Sequence, residues 1–167
     1  RIREVSIGLE EYSLYLNREL GDVKYFDAGD IPLPFGNPEK SLAEIKNFVR
    51  KVLADGKVPI GMGGEHLVSL PVMEAVYEKY PDLAVIHFDA HTDLRTDYEG
   101  EVFSHATPIR KFADIVGPTN MYSFGIRSGL KEEFEWAKEN GMFIAPFEVL
   151  EPLKTKLPEL ASRPVYV

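Results

Sequence analysis

Short apolar runs alternate with amphipathic stretches along most of the chain. Lys24–Asp27 reads as a short strand. Ser41–Ala54 places Leu42, Ile45, Phe48, Val49, Val52 and Leu53 on one helical face. Asn37 followed by Pro38 makes a helix start, and Gly56 a stop. Val58–Met62 reads as a strand, with Pro59 near its start, where proline is tolerated. Leu67–Tyr80 is helical, with Leu70, Met73, Val76, Tyr77 and Tyr80 inward, and Pro81 ends it. Leu83–Phe88 is nearly all apolar, as in a strand buried on both faces. Thr107–Val116 reads as a helix and Asn120–Ile126 as a strand. Lys131–Asn140 is a helix with Phe134 and Ala137 inward, stopped by Gly141. Met142–Ala145 is a strand. Phe147–Leu160 reads as helix interrupted by Pro152 and Pro158, and Pro164–Val167 opens another strand.

This alternation predicts an α/β fold, three-layer αβα, whose mainly parallel sheet carries helices on both faces. No repeat or linker breaks the pattern, so residues 1–167 read as one domain. The last four residues look like the opening of a buried strand, which suggests a fragment with an incomplete sheet. Such a sheet would expose apolar edges and faces, and the expectation is a poorly soluble chain.

Composition narrows the function classes. The 167 residues are 44% hydrophobic, enough for a sizeable core, and their formal charge is −8. That balance speaks against nucleic acid as a partner, which asks for a basic face. It suits a small cationic substrate, since an acidic cleft concentrates cations. There is no cysteine, which excludes disulfides, thiolate catalysis and cysteine-held zinc. No run reaches the roughly 18 apolar residues of a membrane span. A cytoplasmic protein with no membrane partner is the expectation.

In a parallel sheet, sites form beyond the carboxyl ends of the strands. Leu83–Phe88 is followed by Asp89-Ala90-His91-Thr92-Asp93. In extended backbone alternate side chains share a face. Asp89, His91 and Asp93 then converge, and two carboxylates with an imidazole make a cation site. Without a cation the carboxylates repel one another. The oxygen-rich set suits Mn²⁺, with Zn²⁺ and Fe²⁺ open. The same residues also read as a solvated turn. Val58–Met62 is followed by Gly63-Gly64-Glu65-His66, where paired glycines allow a tight turn. Alone, His66 reads as structural, and no Lys-Ser/Thr follows to make a phosphate loop. Ser104-His105-Ala106-Thr107-Pro108 alone reads as a helix start, with Ser104 or Thr107 as the cap.

Taken together and in this order, the three segments resemble the signature of the ureohydrolase family. That family holds arginase, agmatinase, guanidinobutyrase and formimidoylglutamase. Its first motif is usually GGDH, so Glu65 is a conservative departure. Ser123–Ser128 resembles the family's next strand. The resemblance implies an arginase/deacetylase-like fold and two Mn²⁺ per intact subunit. It assigns His66, Asp89 and Asp93 to the first manganese, and Asp89 and His91 to the second. It implies hydrolysis of a guanidino compound to urea plus an amine by a metal-bridging hydroxide. Asp93 would pass a proton to the leaving amine, and His105 would shuttle protons to solvent. The family's remaining two aspartates, from an SxDxDxxDP motif, are not in this sequence. With four of the six ligand residues present, the expectation is at most one weakly held metal and little activity from this chain alone. Arg95 and Ser104–Thr107 look more like agmatinase than arginase, which points to agmatine, putrescine and urea. Family analogy implies a homo-oligomer, a trimer or hexamer. Arginase, guanidinobutyrase and formimidoylglutamase activities remain alternatives. So does a deacetylase-like one-zinc hydrolase, in which Asp93 and His66 would be superfluous. A non-catalytic fragment or pseudoenzyme is the reading from another class.

Overall fold

Leu83–Phe88 lies at the centre of the architecture. A computed structural model describes residues 2–167 and divides the chain into two units, Arg1–Asp30 and Ile31–Val167. In the larger unit the central strand is β3 (Ala84–Phe88). It lies between β4 (Met121–Ile126) and β6 (Val165–Tyr166), and β5 (Phe143–Pro146) pairs with the far side of β4. All three pairings are parallel, with Val85 opposite Met121 and His87 opposite Ser123.

Alternation along the strands sorts side chains to two faces. Val85 and Met121 join a core with Leu70, Met73, Phe112 and Ala137. These come from α3 (Ser69–Lys79), α4 (Pro108–Val116) and α5 (Lys131–Glu139). Ala84, Ile86, Tyr122 and Phe124 face the other way, toward Leu160 of α6 (Leu150–Leu160). Helices therefore cover both faces, which makes three layers. On the first face α2 (Pro38–Ala54) packs through Ile45, Val49 and Leu53 against Ala75 of α3. The Asn37 side chain caps α2 by accepting from the Lys40 N–H at 2.9 Å.

Three sequence expectations are corrected. Val58–Met62 is not a strand: no ladder partner lies beside it among the described residues, and Val58, Ile60 and Met62 are over three-quarters exposed. An apolar run becomes a strand only where another strand takes its N–H and C=O groups. Lys24–Asp27, in the first unit, is likewise irregular, with Tyr25 and Phe26 exposed. That unit consists of α1 (Ile2–Ser6), a hairpin of β1 (Tyr12–Ser13) with β2 (Arg18–Glu19), and connecting loops. The prolines do not interrupt α6. Pro152 falls in its first turn, where an N–H has no partner to lose, and Pro158 lies two residues before its end.

Candidate metal centre

Parallel pairing brings every carboxyl end of the sheet to one edge. At that edge the chain continues from β3 alongside the continuation of β4. The N–H groups of Arg127 and Ser128 donate to the Ala90 carbonyl at 2.8 and 2.9 Å, and the Thr92 N–H donates to Ser128 O at 3.1 Å. Past this ladder the backbone turns. Asp93 adopts a left-handed φ of 50°, uncommon for a residue with a Cβ. The regular alternation anticipated for residues 89–93 therefore stops short of Asp93.

His66 reaches the same place from the neighbouring element. It opens a single 3₁₀ turn, His66–Val68, whose preceding Glu65 caps it by accepting from the Leu67 N–H at 3.0 Å. Departure from GGDH at Glu65 thus leaves a working cap. Gly63 lies in a crowded spot: a Cβ there would stand 3.0 Å from Val68 Cγ2, so a larger residue would press on that side chain.

The His66 ring turns toward the carboxylates. Its Nδ1 lies 2.6 Å from Asp93 Oδ2 and 3.9 Å from Asp89 Oδ2. Acceptance by Asp93 holds the proton on His66 and raises its pKa above the ordinary imidazole value. Asp89 moves the other way. The His87 ring nitrogen beside it and the His91 N–H, which donates to Oδ1 at 2.8 Å, keep its carboxyl well below the usual carboxylate range.

His87 is the residue that sequence reasoning missed. It is buried on β3, with Nδ1 3.0 Å from Ser123 Oγ and Nε2 3.6 Å from Asp89 Oδ2. At that separation the Asp89 contact is electrostatic rather than a formed hydrogen bond. His87 Nε2 has no hydrogen-bond partner among the described residues, and its ring stacks on His66 at 5.5 Å. The signal was a lone polar residue in an apolar run, two places before Asp89, in step with the alternation invoked for residues 89–93.

Donor atoms of His66, His87, Asp89 and Asp93 all lie within 4.8 Å of one another. His91 stands at the rim. Its side chain is 64% exposed, and its Nδ1 is 3.5 Å from Asp89 Oδ1, whereas His66 approaches Oδ2. His105 is not in the cluster. It lies exposed on the wall of the same cavity, its ring 5.1 Å from that of Tyr98. That cavity encloses about 510 Å³ and is also lined by Arg95, Ser128 and Glu133. Two carboxylates and imidazoles at such spacing repel or trap protons unless a cation joins them, so the donor set fits a divalent metal of the harder kind.

The Arginase family model matches residues 1–167, and the chain belongs to that family. It is 73% identical to the agmatinase of Bacillus subtilis (strain 168) and 70% identical to that of Bacillus anthracis, in each case over all 167 residues. The chain spans 58% of the length of these relatives. Among solved structures, a Clostridium difficile protein provisionally described as an agmatinase superposes with a TM-score of 0.94 at 43% identity, over 99% of this chain and 60% of that one. The agmatine ureohydrolase of Thermoplasma volcanium gives 0.83 at 30%, over 99% and 56%. Among the described residues no helix is long and apolar enough to cross a membrane.

Proposed function

We propose that the whole protein hydrolyses agmatine to putrescine and urea, with Mn²⁺ as its metal. The observation that carries the reading is the convergence of His66, Asp89 and Asp93 in one cavity at the sheet's carboxyl edge, in a chain so similar to agmatinases. His66, Asp89 and Asp93 would hold one ion, and His91, beside Asp89, would serve a second. When bound, the metal acidifies water and so supplies hydroxide near neutral pH.

The chain's own groups account for the rest. Asp89 and Asp93 give the cavity negative charge, which draws in a guanidinium. Water adds to the guanidino carbon, the bond from that carbon to the butyl-bearing nitrogen breaks, and a proton must reach the departing amine. Asp93 would hold that proton at Oδ2, a reading supported by the 2.6 Å approach of His66 Nδ1 to the same atom. His105, exposed on the wall, would exchange protons between cavity and solvent. A homo-oligomer and a cytoplasmic location belong to the same proposal.

Urea release by the whole Mn²⁺-loaded protein tests it. Agmatine should be turned over with kcat/KM at least tenfold above arginine and guanidinobutyrate. Preference for arginine, or equal turnover of all three, overturns the substrate assignment.

A further inference from the structure

Two acids are buried among the described residues, Asp93 and Glu133, and only Asp93 has a part in the reading above. Glu133 sits in the first turn of α5 and is 4% exposed. Its carboxylate reaches across to the loop that carries Asp93. Oε1 accepts from Thr92 Oγ1 at 2.7 Å and from the Leu94 N–H at 3.0 Å. Oε2 accepts from the Leu130 N–H at 2.6 Å, which ties the same carboxylate to the start of its own helix. The two loop donors belong to the residues immediately before and after Asp93. Between them Asp93 holds its φ of 50°. A left-handed conformation at a residue with a Cβ persists only where its surroundings over-determine it.

Gly129 supports the same contact. A Cβ there would stand 2.6 Å from Thr92 Oγ1 and 2.8 Å from Thr92 Cγ2, so only glycine lets the segment before α5 close onto Thr92. Arg95 Nε stays 3.9 Å from Oε2, outside hydrogen-bond range, and leaves the loop as the principal partner of this carboxylate.

We infer that Glu133 is a positioning residue: by holding Thr92 and Leu94 it fixes the strained backbone of Asp93, and so aims the Asp93 carboxylate at the metal. The inference rests on the reading that Asp93 is a metal ligand. Glu133 itself touches neither metal nor substrate in this role. Glu133→Gln keeps the size of the side chain but turns one acceptor into a donor. Whichever way the amide points, it then meets an N–H or O–H with another N–H.

Mn²⁺ affinity of the whole protein, measured by calorimetry and by the Mn²⁺ paramagnetic resonance signal, tests this. Glu133→Gln should weaken Mn²⁺ binding roughly 10- to 100-fold, as loss of an outer partner does at other metal sites. In a protein already carrying Asp93→Asn, the same change should add less than about a twofold loss, because the ligand it aims is gone. Thr92→Val should weaken binding several-fold, while Thr92→Ser, which restores the hydroxyl, should bind like the parent. That pair decides the matter even where Glu133→Gln does not fold. Parental affinity in Glu133→Gln, equal losses with and without Asp93, or no difference between Thr92→Val and Thr92→Ser overturns the inference. A parent protein that binds no Mn²⁺, or an Asp93→Asn protein that binds it as well as the parent, overturns the metal-site reading instead.

Discussion

His66 carries two opposed demands. In the metal-free protein it is protonated more readily than a free imidazole, because Asp93 accepts from it at 2.6 Å. The raised pKa fixes the sign of its contribution. Stability from the pair is complete below the unfolded value of about 6.5 and is lost as pH rises through the higher folded value. Metal binding runs in the other direction, since an imidazole must shed its proton to become a ligand. Mn²⁺ affinity should therefore climb with pH across this window. Calorimetry in two buffers of different ionisation enthalpy should register net proton release on binding, larger as pH falls. His66→Asn should lower that release and cut affinity at least tenfold. Release unchanged in the variant would move the proton to another group.

At the level of elements, α2 and α3 are joined by a charged seam as well as by Ile45, Val49 and Ala75. Lys46 Nζ lies 2.8 Å from Glu74 and 3.0 Å from Glu78, and Arg50 grips Glu78 through two nitrogens, each at 2.7 Å. The Arg50 guanidinium, then Lys46, brings the Glu78 carboxyl down to about 2. A depressed carboxylate stabilises the fold above its ordinary pKa, and that contribution disappears as pH falls through the folded value. Thermal stability of the parent should decline between about pH 4.3 and pH 2 more steeply than that of Glu78→Gln. Solvent exposure of the seam keeps the difference small, and added salt should shrink it further. Parallel slopes for the two proteins would show that the seam contributes nothing.

The molecule as a whole presents an unmatched apolar segment. Val58, Ile60 and Met62 sit at alternate positions of a segment outside any helix or strand, each at least 80% exposed, with no strand beside them among the described residues. Free N–H and C=O groups flanked by such side chains invite pairing with another chain. In light scattering, the 167-residue chain should show concentration-dependent association, and replacing Val58, Ile60 and Met62 together by threonine should reduce it. A monodisperse monomer at high concentration would refute this.

The period of the apolar runs by itself determined that strands and helices alternate, where α2 to α5 lie, and that the sheet is parallel. Local propensity and burial agree over those stretches, from the Asn37 cap to the buried face of β3. The run of residues after β3 likewise marked Asp89 and Asp93 as candidates, and the family resemblance added His66, which follows an irregular segment rather than a strand. Tertiary structure alone decided three things. Val58–Met62 carries a strand's pattern, but a strand exists only where a partner accepts its hydrogen bonds. His87 looked like part of an apolar strand until pairing with β4 set it beside Ser123 and aimed Nε2 at Asp89. Glu133 meets residues 92–94 only because α5 folds against them, more than 35 positions earlier, and no pattern local to the chain encodes a contact across that distance.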